Sequence, residues 1–239
     1  MIHVAKLHEQ FKLSVNRLDS NYNKSFSVSV VDAYLNKAQD AIVTRFMRYV
    51  ERNTTVRNHL RVLENKEVVL NIIDKQDDHV VAAYPDDYYR LLRQNMYATS
   101  KDCDKPRKIV IHIVQSDDLS DSLSNPFWKP SFDWAETIGD EANNGLWVFK
   151  EKDWKVDKVV VDYMRKPKPM YAPSLVKGKQ YITADGDLVT ADMHCEFSDT
   201  YLWRYIADLA SVFAMRDQGQ VDDTKTKMEE MIFSEIVRI

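Results

Sequence analysis

The residue types that bind metals crowd together at one place, "DMHCE", which holds Asp192, His194, Cys195 and Glu196. Neighbours on an extended chain point to opposite faces, so His194 and Cys195 cannot converge on one ion. The reading is a solvated histidine beside a core cysteine. Asp185-Gly186-Asp187 begins like a calcium loop but lacks the bidentate glutamate downstream, which leaves a tight hairpin turn. Glu64-x-Lys66 and Glu151-x-Asp153 resemble fragments of nuclease sites, and matches this short arise by chance. The run "RKPKP", Arg165 to Pro169, carries Arg165, Lys166 and Lys168, which can touch phosphate; a strand running out into solvent is the plainer reading. Five glycines in the whole chain build neither a phosphate loop nor a dinucleotide fingerprint. HExxH and GxSxG are both missing. The expectation is a protein without catalytic residues, cofactor or bound metal.

A different chemistry is concentrated in "NPFWKPSFDW", residues 125–134. Phe127, Trp128, Phe132 and Trp134 are interleaved there with Pro126 and Pro130. The prolines forbid a regular helix and disfavour a central strand. The rings either close the end of a core or form a stiff strap that docks on another chain, where aromatic residues are enriched. Phe127 and Trp128 are expected at a boundary between chains, with Phe132 or Trp134 anchoring the strap to its own sandwich. A second candidate contact is the apolar face of residues 222–239, made of Met228, Met231, Ile232 and Ile236. Methionines suit a surface that must adapt.

The elements around these residues follow from breakers and period. The first proline is Pro85 and the first glycine Gly139, so the opening reads as helical. Ile2, Leu7, Phe11, Val15 and Leu18 give one rough stripe. Val31, Tyr34, Leu35, Ala38, Ile42, Phe46, Tyr49 and Val50 give a clearer one over 29–52, with Asp32, Asn36, Gln39, Asp40 and Thr44 on the polar face. Thr54 or Thr55 opens a shorter helix ending near Glu64. From residue 67 the period becomes that of strands: "EVVLNII" and "HVVAAY" form a hairpin, "PDDYYRLL" a helical turn or two capped by Asp86, and "KIVIHIVQ", "LWVFK" and "KVVVDYMRK" three strands. "YITADGDLVT" is a further hairpin. Ser198 then caps a helix carrying Leu202, Ile206, Leu209 and Phe213, which Gly219 stops. Asp222 or Asp223 caps the last helix.

The fold class expected is α+β. A bundle of N- and C-terminal helices (1–66 and 198–239) accompanies a small antiparallel β-sandwich or barrel (67–197). The net charge is −4, which argues against nucleic-acid binding by the chain as a whole. Two distant cysteines indicate free thiols. The N-terminal "MIHVAKLHEQFKLSV" is broken by charge, unlike a signal peptide or membrane span.

The order of elements resembles the head-to-tail connector (adaptor) ring proteins of short-tailed bacteriophages, and most nearly the ring proteins of crAss-like phages. The Gly/Pro-free opening 1–66 carries part of the likeness. "YPDDYYRLL" is similar to the "LPxDYxxL" entry into the sandwich, and is followed by "NPFWKPS". "VDKVVVDYMRKPKPM" ends its strand in Y-x-R-x-P through Tyr163, Arg165 and Pro167. "FSDTYLWRYIADLASVFAMRDQ" is similar to the C-terminal helix. The chain departs at Tyr84, where the family usually has Leu, and its 67–84 hairpin matches no family motif. The resemblance implies a structural subunit of the virion connector, made in the host cytoplasm. It implies a ring of itself, typically a dodecamer, bound to the portal and to neighbouring ring or tail proteins. DNA passes through the ring. A non-enzymatic assembly or tail-completion protein of the cytoplasm is the alternative.

Overall fold

A computed structural model describes residues 2–18, 26–50, 52–142, 145–183, 185–197, 202–218, 230–231 and 234. In chain order the elements are α1 (Val4–Leu18), α2 (Val28–Met47), α3 (Thr54–Leu60), β1 (Glu64–Val69), β2 (Asn71–Lys75), β3 (His79–Ala83) and β4 (Tyr88–Ser100). They continue with β5 (Cys103–Ile113), α4 (Leu119–Ser124), β6 (Glu136–Ala142), β7 (Gly145–Phe149), β8 (Lys155–Arg165), β9 (Tyr181–Ile182), β10 (Leu188–Val189) and α5 (Leu202–Asp217). Among the described residues no helix is long and apolar enough to cross a membrane. The class is α+β, as the periods indicate. Two compact units share the chain, 1–62 with 167–239, and 63–166. Residues 167–197, assigned above to the sandwich, belong to the helical unit.

In the helical unit α1 and α2 both pack on α5. Leu7, Phe11 and Val15 of α1 are buried, as are Val31, Leu35, Ala38, Ile42 and Phe46 of α2. The stripe Leu202, Ile206, Leu209 and Phe213 is buried too, together with Ala207, Ala210, Val212, Ala214 and Met215, so α5 is covered nearly all round. Each fully buried Leu, Ile or Phe contributes about 1.5–3 kcal/mol. α2 stops at Met47, short of the expected residue 52. Its exit turn leaves Tyr49 exposed, and Thr54 opens α3 as expected, capped by Asn53, whose Oδ1 accepts from the N–H groups of Thr55 and Val56.

Asp32 and Gln39, assigned above to the polar face of α2, are buried. With Asn36 they form a second stripe at i, i+4, i+7 that binds an extended segment. Gln39 Nε2 donates to the Lys168 carbonyl at 3.0 Å, and Asn36 exchanges two bonds with the Met170 backbone at 3.0 and 2.7 Å. Asp32 Oδ2 accepts from the Ala172 N–H at 3.0 Å. The side chains of α2 thus do for residues 168–172 what a neighbouring strand would do. Lys168 and Pro169 therefore lie on a held segment, not on a strand running into solvent.

The second unit is an eight-stranded sheet in the order β1-β8-β4-β5-β6-β7-β3-β2, antiparallel except for β5 and β6. β1 and β2 stand at opposite edges, yet Leu70 alone separates them in the chain. The sheet must therefore curl until its edges meet at that corner, without β1 pairing to β2 as a closed barrel would require. Its interior is one core that includes Val80, Met96, Ile109, Ile111, Leu146, Val159 and Val161. Where β1 bulges, Glu67 takes a positive φ of 54° and its N–H donates to Asp162 Oδ1 at 2.7 Å.

One expectation changes here. "DYYRLL" is the start of the 13-residue strand β4 rather than a helical turn. Only Pro85 to Tyr88 turns, closed by the Tyr88 N–H on the Pro85 carbonyl at 2.9 Å. Tyr88 and Leu91 are drawn onto the sheet core, and that packing overrides local helical spacing. "LWVFK" and "KVVVDYMRK" are strands, as expected; β7 pairs with β3 and β6, and β8 with β1 and β4. Strand β6 had no sequence signal, since "ETIGDEA" contains a glycine and three acidic residues.

The glycine in β6 has a packing reason. A Cβ at Gly139 would stand 2.6 Å from Ile111 Cγ2 and 3.0 Å from the Trp147 carbonyl oxygen. Gly139→Ala is therefore expected to destabilise the protein by about 1–3 kcal/mol through overpacking, read as a lower denaturation midpoint.

Candidate interaction surface

The strap 125–134 is held from both ends by its own backbone. Asn125 Oδ1 accepts from the Phe127 N–H at 3.0 Å, and the Asn125 carbonyl accepts from Trp128 and Lys129. Ser131 and Glu136 exchange two backbone bonds, and Ala135 turns at a positive φ of 56°. Within this frame Phe132 points inward onto the sheet core, its ring edge-on to Trp154 at 5.8 Å. The Arg107 guanidinium lies 5.2 Å from the same ring and donates to the Phe132 carbonyl at 2.7 Å. Phe127, Trp128 and Trp134 stay outside, at 75%, 57% and 62% exposure. One ring of the strap is thus committed to the core and three are left to water.

The exposed rings border two open depressions. Trp128 and Trp134 line a trough of about 910 Å³ with Val110 and Ile113 of β5. Trp128 also walls a depression of about 530 Å³ whose other side carries Asp118 and Asp121. Alternation along β5 puts Ile109, Ile111 and Ile113 on one face. The first two are buried, while Ile113 at the strand end is exposed and joins the trough. Of the second candidate contact, Met231 is half exposed. Met228, Ile232 and Ile236 lie outside the described residues, as do Ser198, Gly219, Asp222 and Asp223.

The other candidate chemistry does not assemble. Among the described residues no group of three or more His, Cys, Asp or Glu side chains gathers to hold a metal. Cys195 is buried in a bridge to Ile2, and burial pushes its thiol up to about 11. The His194 ring lies 4.3 Å from that of His3, tilted by 37°, with a buried Nδ1 that has no hydrogen-bond partner, so it is not the solvated residue expected. Asp185 and Gly186 lie in the β9–β10 loop, which the Thr183 N–H closes on the Asp187 carbonyl. Glu64 is ion-paired with Lys66 at 3.5 Å, and Asp153 with Lys101.

Two groupings were not apparent from the sequence. Tyr84 and Tyr88 stack at 3.8 Å, and both hydroxyls donate to Glu141 Oε1, at 2.8 and 2.7 Å. They border a cleft of about 410 Å³ with Asp86 and Lys166. The spacing of the two tyrosines gave no signal, because Tyr84 was read as the end of the hairpin and Tyr88 as part of the helical turn. Burial, then the nearby carboxylate, raises both phenols above their ordinary value. The folded state thus prefers them protonated, and an unfolded tyrosine ionises near about pH 10. Their contribution is fully present below that pH and is lost as the pH rises above it. Stability is expected to fall progressively as the pH rises above about 10, and Tyr84→Phe to flatten that fall in denaturation curves.

The other grouping is in the helical unit. His8 Nε2 lies 2.7 Å from Asp32 Oδ1, and Asp32 Oδ2 accepts from the Tyr181 hydroxyl as well as the Ala172 N–H. His8 and Asp32 are both buried. Neither a protein-family model nor a curated protein sequence matches this chain.

Proposed function

We propose that the chain is a structural subunit of a bacteriophage head-to-tail connector ring, seated below the portal and docking its neighbours through the strap. The observation that carries this reading is the division of labour within residues 125–134. Phe132 is tied to the core, while Phe127 and Trp128 project from a frame stiffened by Pro126 and Pro130. A ring presented on a rigid loop loses little entropy on docking, and large exposed aromatics of this kind are typical anchors of protein interfaces. The order of helices, sheet and helix, and the motifs that resemble connector proteins, support the same role. Ring subunits meet through head-to-tail contacts that close on themselves.

The test is assembly with the portal protein of the phage that encodes this chain. Native mass spectrometry is expected to show a monomer or small oligomer alone and a closed ring, typically of twelve copies, on the portal. Cryo-EM of the particle vertex then locates the ring. A stable isolated dimer with a large two-fold interface, or absence from purified particles, overturns the proposal.

A further inference from the structure

Strands β8, β4 and β5 together carry a charge opposite to that of the chain. These three adjacent strands hold eight Lys and Arg against three Asp and Glu, in a protein of net charge −4. At one register Lys158, Tyr97 and Lys108 stand side by side across β8, β4 and β5. Neighbouring strands are about 4.8 Å apart, so the row sets one half-buried tyrosine ring between two lysines. Lys158 Nζ lies 4.9 Å from the centre of the Tyr97 ring. Lys108 leads from this row into the trough beside Val110 and Trp134.

The acidic groups nearest the trough each have a nitrogen partner, and only that of Asp162 is a permanent cation. Asp162 pairs with Arg93 at 2.9 Å, and Glu136 lies 3.8 Å from His112 Nε2. Lys108 has no ion pair among the described residues. Lysine is depleted at the centres of protein–protein contacts, whereas phosphate chains require cations. An open sheet carrying aromatic rings between lysines suits an unpaired strand, whose bases stack on rings while its phosphates meet ammonium groups. We infer that this face, with Tyr97, Lys108, Lys158 and Trp134 as its main elements, is a binding site for single-stranded nucleic acid. It is distinct from the docking role assigned to Phe127 and Trp128.

The test is fluorescence anisotropy of a labelled oligo-dT of about 15 nucleotides, within the span such sites cover, at about 50 mM salt and again at higher salt. The full chain is expected to bind, and more weakly as salt rises. Lys108→Glu with Lys158→Glu should lower affinity at least about tenfold and reduce the salt slope by about 1.4, two phosphate contacts' worth for a single strand. Trp134→Ala should lower affinity by about 5- to 100-fold with the salt slope unchanged, as loss of a stacking partner does. Circular dichroism confirms that the variants fold. No binding by the full chain, or binding that neither set of substitutions alters, overturns the inference. So does equal binding of duplex DNA of the same length with no effect of Trp134→Ala, because stacking then has no part. Assembly on the portal by the lysine variants reports separately on the connector reading, since those lysines lie outside the docking strap.

Discussion

Asp32→Ala is expected to destabilise the protein by about 3–5 kcal/mol, the largest effect of any single substitution proposed here. The carboxylate accepts from His8, Tyr181 and the Ala172 N–H, and of this group all but the half-buried Tyr181 are shut away from water. Truncation leaves these donors without an acceptor, and each stranded buried donor costs about 1–3 kcal/mol. For a chain of this size the melting temperature should fall by roughly 6–20 °C. Asp32→Asn should fall between the wild type and Asp32→Ala. It keeps an acceptor for one donor and turns an amide toward another. Urea denaturation of the variants, with His8→Ala alongside, measures the effect. A loss below about 1 kcal/mol for Asp32→Ala, less than one stranded donor costs, means that the donors find other acceptors and the network does not hold residues 168–172.

Trp128→Ala and Phe132→Ala should separate docking from folding. Phe132 stands against Trp154 and Arg107, so its removal opens the core and is expected to cost about 2–4 kcal/mol of stability. Trp128 is more than half exposed, and its loss should leave the melting temperature nearly unchanged. If the ring anchors a neighbouring subunit, the same change weakens assembly by about 2–4 kcal/mol, roughly 30- to 1,000-fold. Thermal melts and native mass spectrometry with the portal give the two readouts. If Trp128→Ala melts as low as Phe132→Ala, the indole belongs to the fold. If it melts normally and assembles normally, the strap does not dock.

Phe127, Trp128, Phe132 and Trp134 show where sequence stops and tertiary structure begins. Their spacing and the two prolines already announced an irregular aromatic strap, because proline acts on its own backbone regardless of context. Which ring turned inward depended on where Arg107 of β5 and Trp154, just before β8, arrive. Likewise the helical stripes of α1, α2 and α5 were legible, because burial of one face imposes a period of 3.6 on whatever sequence forms the helix. The long strand at Tyr88–Ser100 was not, since its start carries helical spacing and becomes a strand by pairing with β8 and β5. Strand β6 was not either, since Gly139 is chosen by the closeness of Ile111 and Trp147 rather than by strand preference. The polar stripe Asp32, Asn36 and Gln39 was visible as a pattern, but its meaning was not. Polar residues on a helix face water unless some other segment brings them unpaired backbone groups, and only the folded chain brings residues 168–172 there.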